Sequence, residues 1–98
     1  MSYELRLPPD TQLEIIEYLT SEFESNEGQQ AAWNEVEREL EKLAANPWLG
    51  TGYPGGPFER RSTYRFVIHP DGRERHLQVT YRVHEAGQVI VIAGFVPL

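Results

Sequence analysis

Apolar and polar side chains alternate along the last third of the chain, from Phe58 to Leu98. Because successive side chains of a β-strand point to opposite faces, this period of two predicts three strands, with turns at Asp71-Gly72 and Ala86-Gly87. The polar face of the first two strands carries Arg61, Thr63, Arg65, His69, His76, Gln78, Thr80, Arg82 and His84. The apolar face carries Phe58, Tyr64, Phe66, Ile68, Leu77, Val79, Tyr81 and Val83. Such a sheet needs helices on its apolar side and a partner on its basic side.

The first half of the chain predicts a short strand and then a helix. Tyr3, Leu5 and Leu7 alternate with polar residues until Pro8-Pro9 ends the strand. Thr11 and Glu14 have the spacing of a helix-capping box. The apolar residues that follow at helical intervals are Leu13, Ile16, Leu19 or Thr20, and Phe23.

A second helix is expected from about Gln29 to Ala45, after the polar segment 25–28 breaks the pattern and before Asn46-Pro47 stops it. Its apolar stripe consists of Trp33, Val36, Leu40 and Leu43. Its predicted solvent side carries Glu35, Glu37, Glu39 and Glu41. The segment from Trp48 to Pro57 is rich in Gly and Pro, which predicts a loop between the helices and the sheet.

The predicted order is β-α-α-β-β-β, an α+β fold in two layers with a helical hairpin on an antiparallel meander. Ninety-eight residues suit a single domain spanning 1–98. The chain has no cysteine, which excludes disulfides and thiolate chemistry and fits a reducing compartment. No apolar run approaches the ~20 residues that span a bilayer, and no signal-peptide pattern begins the chain. We therefore expect a cytoplasmic protein without a membrane partner.

Charge divides the chain into an acidic half and a basic half. The net charge is −6, but residues 1–57 hold 3 Lys/Arg against 11 Asp/Glu, whereas residues 58–98 hold 6 against 4. Phosphate contacts need Lys and Arg, so a nucleic-acid partner would meet the sheet rather than the helices. Arginines also decorate exposed sheet faces for solubility, and this interpretation stays open.

Several segments together resemble the RelE/ParE superfamily of toxins from type II toxin-antitoxin systems. They are the Leu-x-x-Asn-Pro-x-x-Gly segment from Leu43 to Gly50, the Thr-Tyr-Arg-Val strand from Thr80 to Val83, and the final Val-Ile-Val-Ile-x-Gly strand from Val89 to Gly94. The resemblance implies a RelE-like fold and a toxin held silent by a cognate antitoxin. It further implies either a ribosome-dependent endoribonuclease or, in the ParE branch, an inhibitor of DNA gyrase.

Nuclease activity in this family depends on basic side chains on the sheet, which can remove a proton, stabilise phosphate charge and protonate the leaving oxygen. Arg65 stands where the resemblance implies a first basic residue, but Val67 occupies the second such place and Gln78 replaces an arginine. Phe95 and Val96 stand where terminal basic residues belong. The candidate catalytic residues are Arg65, His76, Gln78 and Arg82, and the candidate RNA-binding residues are Arg61, Arg65, His69 and Arg82.

Two functional classes therefore stay open: an mRNA interferase with a basic sheet face, and a non-catalytic binding protein, gyrase-directed or degenerate. An unrelated α+β domain with the same layer order is the third alternative. No tight motif accompanies the histidines, so we expect neither metal nor cofactor. The acidic helical layer suits an amphipathic antitoxin segment, with Trp33, Trp48 and Tyr53 as candidate partner-binding residues. A free final strand from Val89 to Phe95 would allow a homodimer.

Overall fold

The computed structural model describes residues 2–53 and 59–98. Within these ranges the chain forms two helices and five strands. In chain order they are β1 (Glu4–Arg6), α1 (Pro9–Glu22), α2 (Asn26–Ala45), β2 (Thr51–Tyr53), β3 (Glu59–Ile68), β4 (Arg75–His84) and β5 (Val89–Pro97). The predicted α+β order is confirmed, with one additional short strand. Phe58, which was expected on the apolar face, lies outside the described residues.

The sheet has the strand order β1-β5-β4-β3-β2. The expected antiparallel meander is confirmed, since β3 pairs antiparallel with β4 and β4 with β5. The prediction of a free final strand from Val89 to Phe95 is wrong for its first three residues. β1 pairs parallel with β5, matching residues 4–6 to residues 89–91, so the start of β5 lies inside the sheet. This parallel pairing makes the sheet mixed.

The predicted alternation of faces in β3 and β4 is confirmed by burial. Residues from both helices and three strands form one core. The fully or nearly buried members are Ile15, Leu19, Phe23, Ala32, Val36, Leu40, Leu43, Phe66, Ile68, Leu77, Val79, Tyr81, Val83, Ile90, Ile92 and Phe95. The apolar side of the sheet is therefore the side on which the helices pack.

The apolar face predicted for α1 is wrong in two positions. Leu13 is 55% exposed and Ile16 is 42% exposed, whereas Ile15 and Leu19 are buried. The helix begins at Pro9 without a side-chain cap, so the expected capping role of Thr11 is also wrong. Proline fits the first helical turn because its N–H would be unpaired there. The resulting register buries Thr11 and leaves an apolar strip on the solvent side of α1.

Helix α2 begins at Asn26, three residues earlier than predicted, because Ser25 caps it. The backbone N–H of Gly28 donates to Ser25 Oγ at 3.0 Å. Two of the four predicted solvent-side glutamates instead contact β3 or the residue after it. Glu35 Oε1 accepts from the His69 backbone N–H at 3.0 Å, and Glu39 Oε1 accepts from the Tyr64 hydroxyl at 3.0 Å.

The segment predicted to be a loop after α2 is a tight turn that leads into β2. The buried Tyr81 hydroxyl donates to the Pro47 carbonyl at 2.8 Å and accepts from the Gly50 N–H at 3.2 Å. A Cβ at Gly50 would lie 2.4 Å from the Thr63 carbonyl oxygen, so only glycine fits this approach. Residues 46–50, hereafter the Asn-Pro turn, are therefore fixed against the sheet, with Trp48 exposed at their tip.

Two groups, one in a helix-to-sheet contact and one in the β3–β4 turn, have shifted pKa values. Burial and the hydrogen bond to Glu39 raise the pKa of Tyr64 to about 12. Hydrogen bonds from Arg75 lower the pKa of Asp71 to about 2. Arg75 also contacts Glu22 at 3.2 Å and lies 4.2 Å above the Phe23 ring. These contacts attach α1 and α2 to the β-layer.

Neither of the two described helices combines the length and hydropathy of a membrane span. Across residues 2–53 and 59–98, no three His, Cys, Asp or Glu side chains group closely enough to hold a metal ion.

Candidate functional site

The candidate site is the outer face of the sheet, the side turned away from the core. It is formed by alternate residues of four strands. Its described members are Glu4, Arg6, Arg61, Thr63, Arg65, Val67, His76, Gln78, Thr80, Arg82, His84, Val89, Val91, Gly94 and Val96. In the part of the chain that the structure describes, neither helix packs on this side.

Three arginines form one row across the outer face. Arg82 lies directly opposite Arg61 in β3, and Val91 pairs with Arg82 on one side and with Arg6 on the other. With strands about 4.8 Å apart, the row from Arg6 to Arg61 extends over roughly 15 Å. Arg6 also pairs with Glu4, whose Oε2 lies 3.0 Å from a guanidinium nitrogen of Arg6. The three guanidinium groups together suit an anionic ligand, because guanidinium forms strong charge-assisted hydrogen bonds with phosphate and carboxylate.

Arg61 and Arg82, its partner in β4, lie especially close together. The Thr63 carbonyl points toward Gly50, which lies on the β2 side of β3. The N–H and C=O groups of every second strand residue point to the same side, so those of Arg61 and Arg65 also point toward the β2 side and away from β4. Both residues therefore form non-hydrogen-bonded pairs with β4, in which opposite Cα atoms are only about 4.5 Å apart. Arg61 and Arg82 thus emerge from the sheet as neighbours.

A second cluster lies about 13 Å along β3 from Arg61, the length of four strand residues. Arg65 Nε donates to Gln78 Oε1 at 2.9 Å, and the two residues are directly opposite. His76 is the diagonal neighbour of Arg65, a relation in which Cα atoms lie about 7–8 Å apart and long side chains meet. His76 is exposed, with Nε2 3.6 Å from Glu74 Oε2. The cluster combines a guanidinium that can bind phosphate with an imidazole that can accept a proton.

The structure thus separates the predicted residues into groups. Arg61 and Arg82 are together in the row, and Arg65, Gln78 and His76 are together in the cluster. His69 lies apart from both, beyond the end of β3, where Nδ1 is 3.7 Å from Glu35 Oε1.

Sequence reasoning missed two features of the outer face. The sequence around Arg6 indicates no role for it, because its place in the row depends on the parallel pairing of β1 with β5. The second feature is apolar: Val89, Val91 and Val96 give the β5 side of the face a valine stripe. Val96 is 48% exposed, and Val67 on β3 is 37% exposed. The face is therefore basic on β3 and β4 and apolar on β5.

The predicted partner-binding residues do not form one patch. Trp33 lines a groove between the helices, together with Gln12, Ile16, Leu19, Thr20, Asn26, Gln29 and Gln30. Trp48 lies in the Asn-Pro turn after the end of α2, and the helix from Trp33 to Ala45 alone covers about 18 Å. The backbone of Tyr53 pairs with Arg61, but its side chain lies outside what the structure describes.

No protein-family model matches this chain, and no curated protein matches its sequence. Among solved structures, the chain is similar to the E. coli toxin RelE in the free state, an arginine-to-alanine double mutant. The match covers 97% of this chain and 82% of RelE, with a TM-score of 0.58. The chain has a RelE-like fold. Sequence identity to RelE is 12%, so this likeness establishes the fold and leaves activity to be argued from the outer face.

Proposed function

We propose that this protein is the toxin of a toxin-antitoxin pair and that it inhibits translation by binding messenger RNA on the ribosome through its outer face. The observation that carries this proposal is the row of Arg6, Arg82 and Arg61 on the face of a RelE-like fold that neither described helix covers. RNA supplies the repeating negative charge that such a row needs. The negative balance of residues 1–57 directs the RNA to the sheet rather than to the helices.

In this proposal the cluster of Arg65, Gln78 and His76 cleaves the bound RNA. His76 accepts the proton of a 2′-hydroxyl, whose oxygen attacks the adjacent phosphorus and displaces the 5′-oxygen of the next nucleotide. The departing 5′-oxygen takes a proton from water, and a 2′,3′-cyclic phosphate remains on the other product. The Arg65 guanidinium stabilises the negative charge that builds up on the phosphoryl oxygens. Gln78 is a positioning residue, since it fixes the orientation of that guanidinium through Arg65 Nε.

The test is to add purified protein to a translating extract and map the ends of the messenger RNA. We expect new ends, which Arg65→Ala and His76→Ala abolish while RNA binding persists. Arg61→Ala should weaken binding itself and lower the slope of log affinity against log salt by about 0.7, the value for one phosphate contact in single strands. Arg73→Ala, in the exposed β3–β4 turn, is the matched control for loss of one arginine. Unimpeded translation would refute the proposal.

A second candidate is a non-catalytic binder of another protein, which the valine stripe favours. Arginine beside exposed apolar side chains is the composition typical of a protein interface core. This alternative predicts that Val96→Asp abolishes toxicity in cells while Arg65→Ala and His76→Ala do not. Gyrase supercoiling activity, measured with and without the protein, separates a gyrase-directed inhibitor from the interferase.

For the antitoxin, we propose the groove between α1 and α2. Ile16 and Leu13 are exposed beside it, and α1 carries acidic residues without any basic one. An amphipathic segment with basic flanks fits both features. Ile16→Glu should therefore weaken binding of an antitoxin encoded beside this gene, whereas Ser21→Glu, also exposed on α1, should have little effect. Equal binding by both variants would place the antitoxin elsewhere.

A further inference from the structure

The edge of β3 has a short open stretch beside the Asn-Pro turn. β2 pairs with residues 61–63 of β3 and no further. Beyond Thr63, alternation directs the N–H and C=O groups of Arg65 and Val67 to this edge. β4 pairs with Arg65 and Val67 on the other side of β3, but among the described residues no strand pairs with them on this edge. The edge therefore presents the Arg65 carbonyl as an acceptor beside the Val67 N–H as a donor.

This open stretch is closed at both ends. At one end the Asn-Pro turn fills the edge, where Gly50 approaches the Thr63 carbonyl. At the other end the Glu35 carboxylate accepts the His69 N–H at 3.0 Å. Only two residues of edge remain between them, whereas strands in proteins are usually about 5–6 residues long. The stretch is therefore too short for an added β-strand and suits a small ligand with one hydrogen-bonding edge.

A recess of ≈ 430 Å³ adjoins this stretch, lined by Leu49, Gly50, Thr63, Tyr64 and Arg65. Leu49 is 47% exposed and supplies an apolar wall. The wall is fixed, because the buried Tyr81 hydroxyl holds the Asn-Pro turn on both sides of Leu49, at Pro47 and Gly50. The Arg65 side chain stands on the outer face, so a ligand in the recess has a guanidinium beside it.

We propose that this recess binds one unstacked nucleobase of an RNA strand whose phosphates lie on the outer face. The base packs on Leu49 and pairs its hydrogen-bonding edge with the Arg65 carbonyl and the Val67 N–H. Nucleobases present a donor beside an acceptor on such an edge, as adenine does with its amino group and N7. Arg65 then contacts the phosphate of the same nucleotide. The inference rests on the proposed RNA-binding function and adds a base-reading site to it.

The experiment measures the affinity for a short single-stranded RNA and for an abasic strand with the same sugar-phosphate backbone. Wild type should bind the intact RNA about tenfold more tightly than the abasic strand. Val67→Pro removes the edge N–H, which proline permits at a strand edge without loss of a ladder bond to β4. Val67→Ala keeps that N–H and is the matched control. Val67→Pro and Leu49→Ala should bind the two strands equally, whereas Val67→Ala should keep the tenfold preference.

Loss of the phosphate row gives a different result. Arg61→Ala should weaken binding of both strands and leave their ratio unchanged, so failure of the base site and failure of RNA binding are distinguishable. Equal binding of both strands by wild type would overturn the base site while leaving the arginine row intact. Binding of neither strand would remove both proposals. If Val67→Pro does not fold, two other measurements test the base site. The first is the affinity of Leu49→Ala for the two strands. The second is the resonance of the Val67 amide, which should shift with intact RNA only. A shift of that resonance with a peptide and not with RNA would also overturn the inference.

Discussion

Replacement of Tyr81 by phenylalanine tests whether one buried hydroxyl holds the Asn-Pro turn. Tyr81 is 0% exposed, and its hydroxyl makes two hydrogen bonds, to the Pro47 carbonyl and from the Gly50 N–H. Tyr81→Phe removes both bonds without changing the ring that fills the core. Because two backbone groups then lose their partner in a partly or fully buried site, the expected loss is about 2 kcal/mol of unfolding free energy.

The assay is urea denaturation followed by circular dichroism. With an m-value of about 2 kcal/mol/M, a loss of this size lowers the unfolding midpoint by about 1 M. Thermal denaturation should show a decrease in Tm of roughly 10 °C for a chain of this length. The m-value should stay constant, because the substitution leaves the extent of the core unchanged.

Tyr64→Phe is the matched control. It deletes a hydroxyl that also makes a hydrogen bond, to Glu39 Oε1 at 3.0 Å, but Tyr64 is only partly buried and water can replace its partner. We expect a loss below about 1 kcal/mol for Tyr64→Phe. If Tyr81→Phe proves no more destabilising than Tyr64→Phe, then the hydroxyl does not hold the turn, and the rigid wall inferred for the nucleobase recess loses its support.

Three further substitutions test the β-layer, each measured by urea denaturation. Ser62 is fully buried, and its Oγ has no partner among the described residues, so Ser62→Ala should stabilise the protein by about 1 kcal/mol; a loss of stability would show an unrecognised partner. Gly50→Ala should destabilise by more than about 1 kcal/mol, since its Cβ would lie 2.4 Å from a carbonyl oxygen, whereas Gly87→Ala meets nothing closer than 3.7 Å and should be nearly neutral by comparison. The hydrogen bonds from Arg75 lower the pKa of Asp71 from 3.8 to about 2. Wild type should therefore be more stable than Asp71→Asn above about pH 4 and should lose that advantage as the pH falls through about 2. A stability difference independent of pH would contradict the ion pair.

The strands could be predicted from sequence because their pattern is local. Phe66, Ile68, Leu77 and Val79 are buried where the period of two places them, and that period depends only on neighbouring residues. The same logic failed for α1, where Leu13 and Ile16 fit a helical interval as well as the residues that are buried. Packing of α1 on the sheet decides between those two faces, as in the contact between the rings of Tyr18 and Phe95, whose centroids are 5.5 Å apart.

The composition of the site could be predicted only in part. The arginines of β3 and β4 belong to adjacent strands joined by a turn, so their shared face follows from alternation. Arg6 joins them through a parallel pairing between the two ends of the chain, and such register has no local signal. The residues of the Asn-Pro turn form a recognisable sequence motif, but the motif does not show why they are needed. Only the tertiary structure shows that the turn accepts a hydrogen bond from a buried tyrosine hydroxyl and contains a glycine with no room for a side chain.

The two sides of the sheet differ in whether folding explains them. On the core side, burial, alternation and hydrogen bonding agree, as expected where stability selects the residues. On the outer face, Arg61 lies directly opposite Arg82, and a pair of like charges in this position does not favour sheet formation. If the outer face serves only solubility, then reversing one charge, as in Arg61→Glu, should stabilise the protein and leave translation inhibition unchanged. If it binds RNA, the same substitution should raise the unfolding free energy by about 0.2–1 kcal/mol and abolish translation inhibition. Opposite signs for stability and activity would show that the repulsion between these arginines is maintained for a ligand.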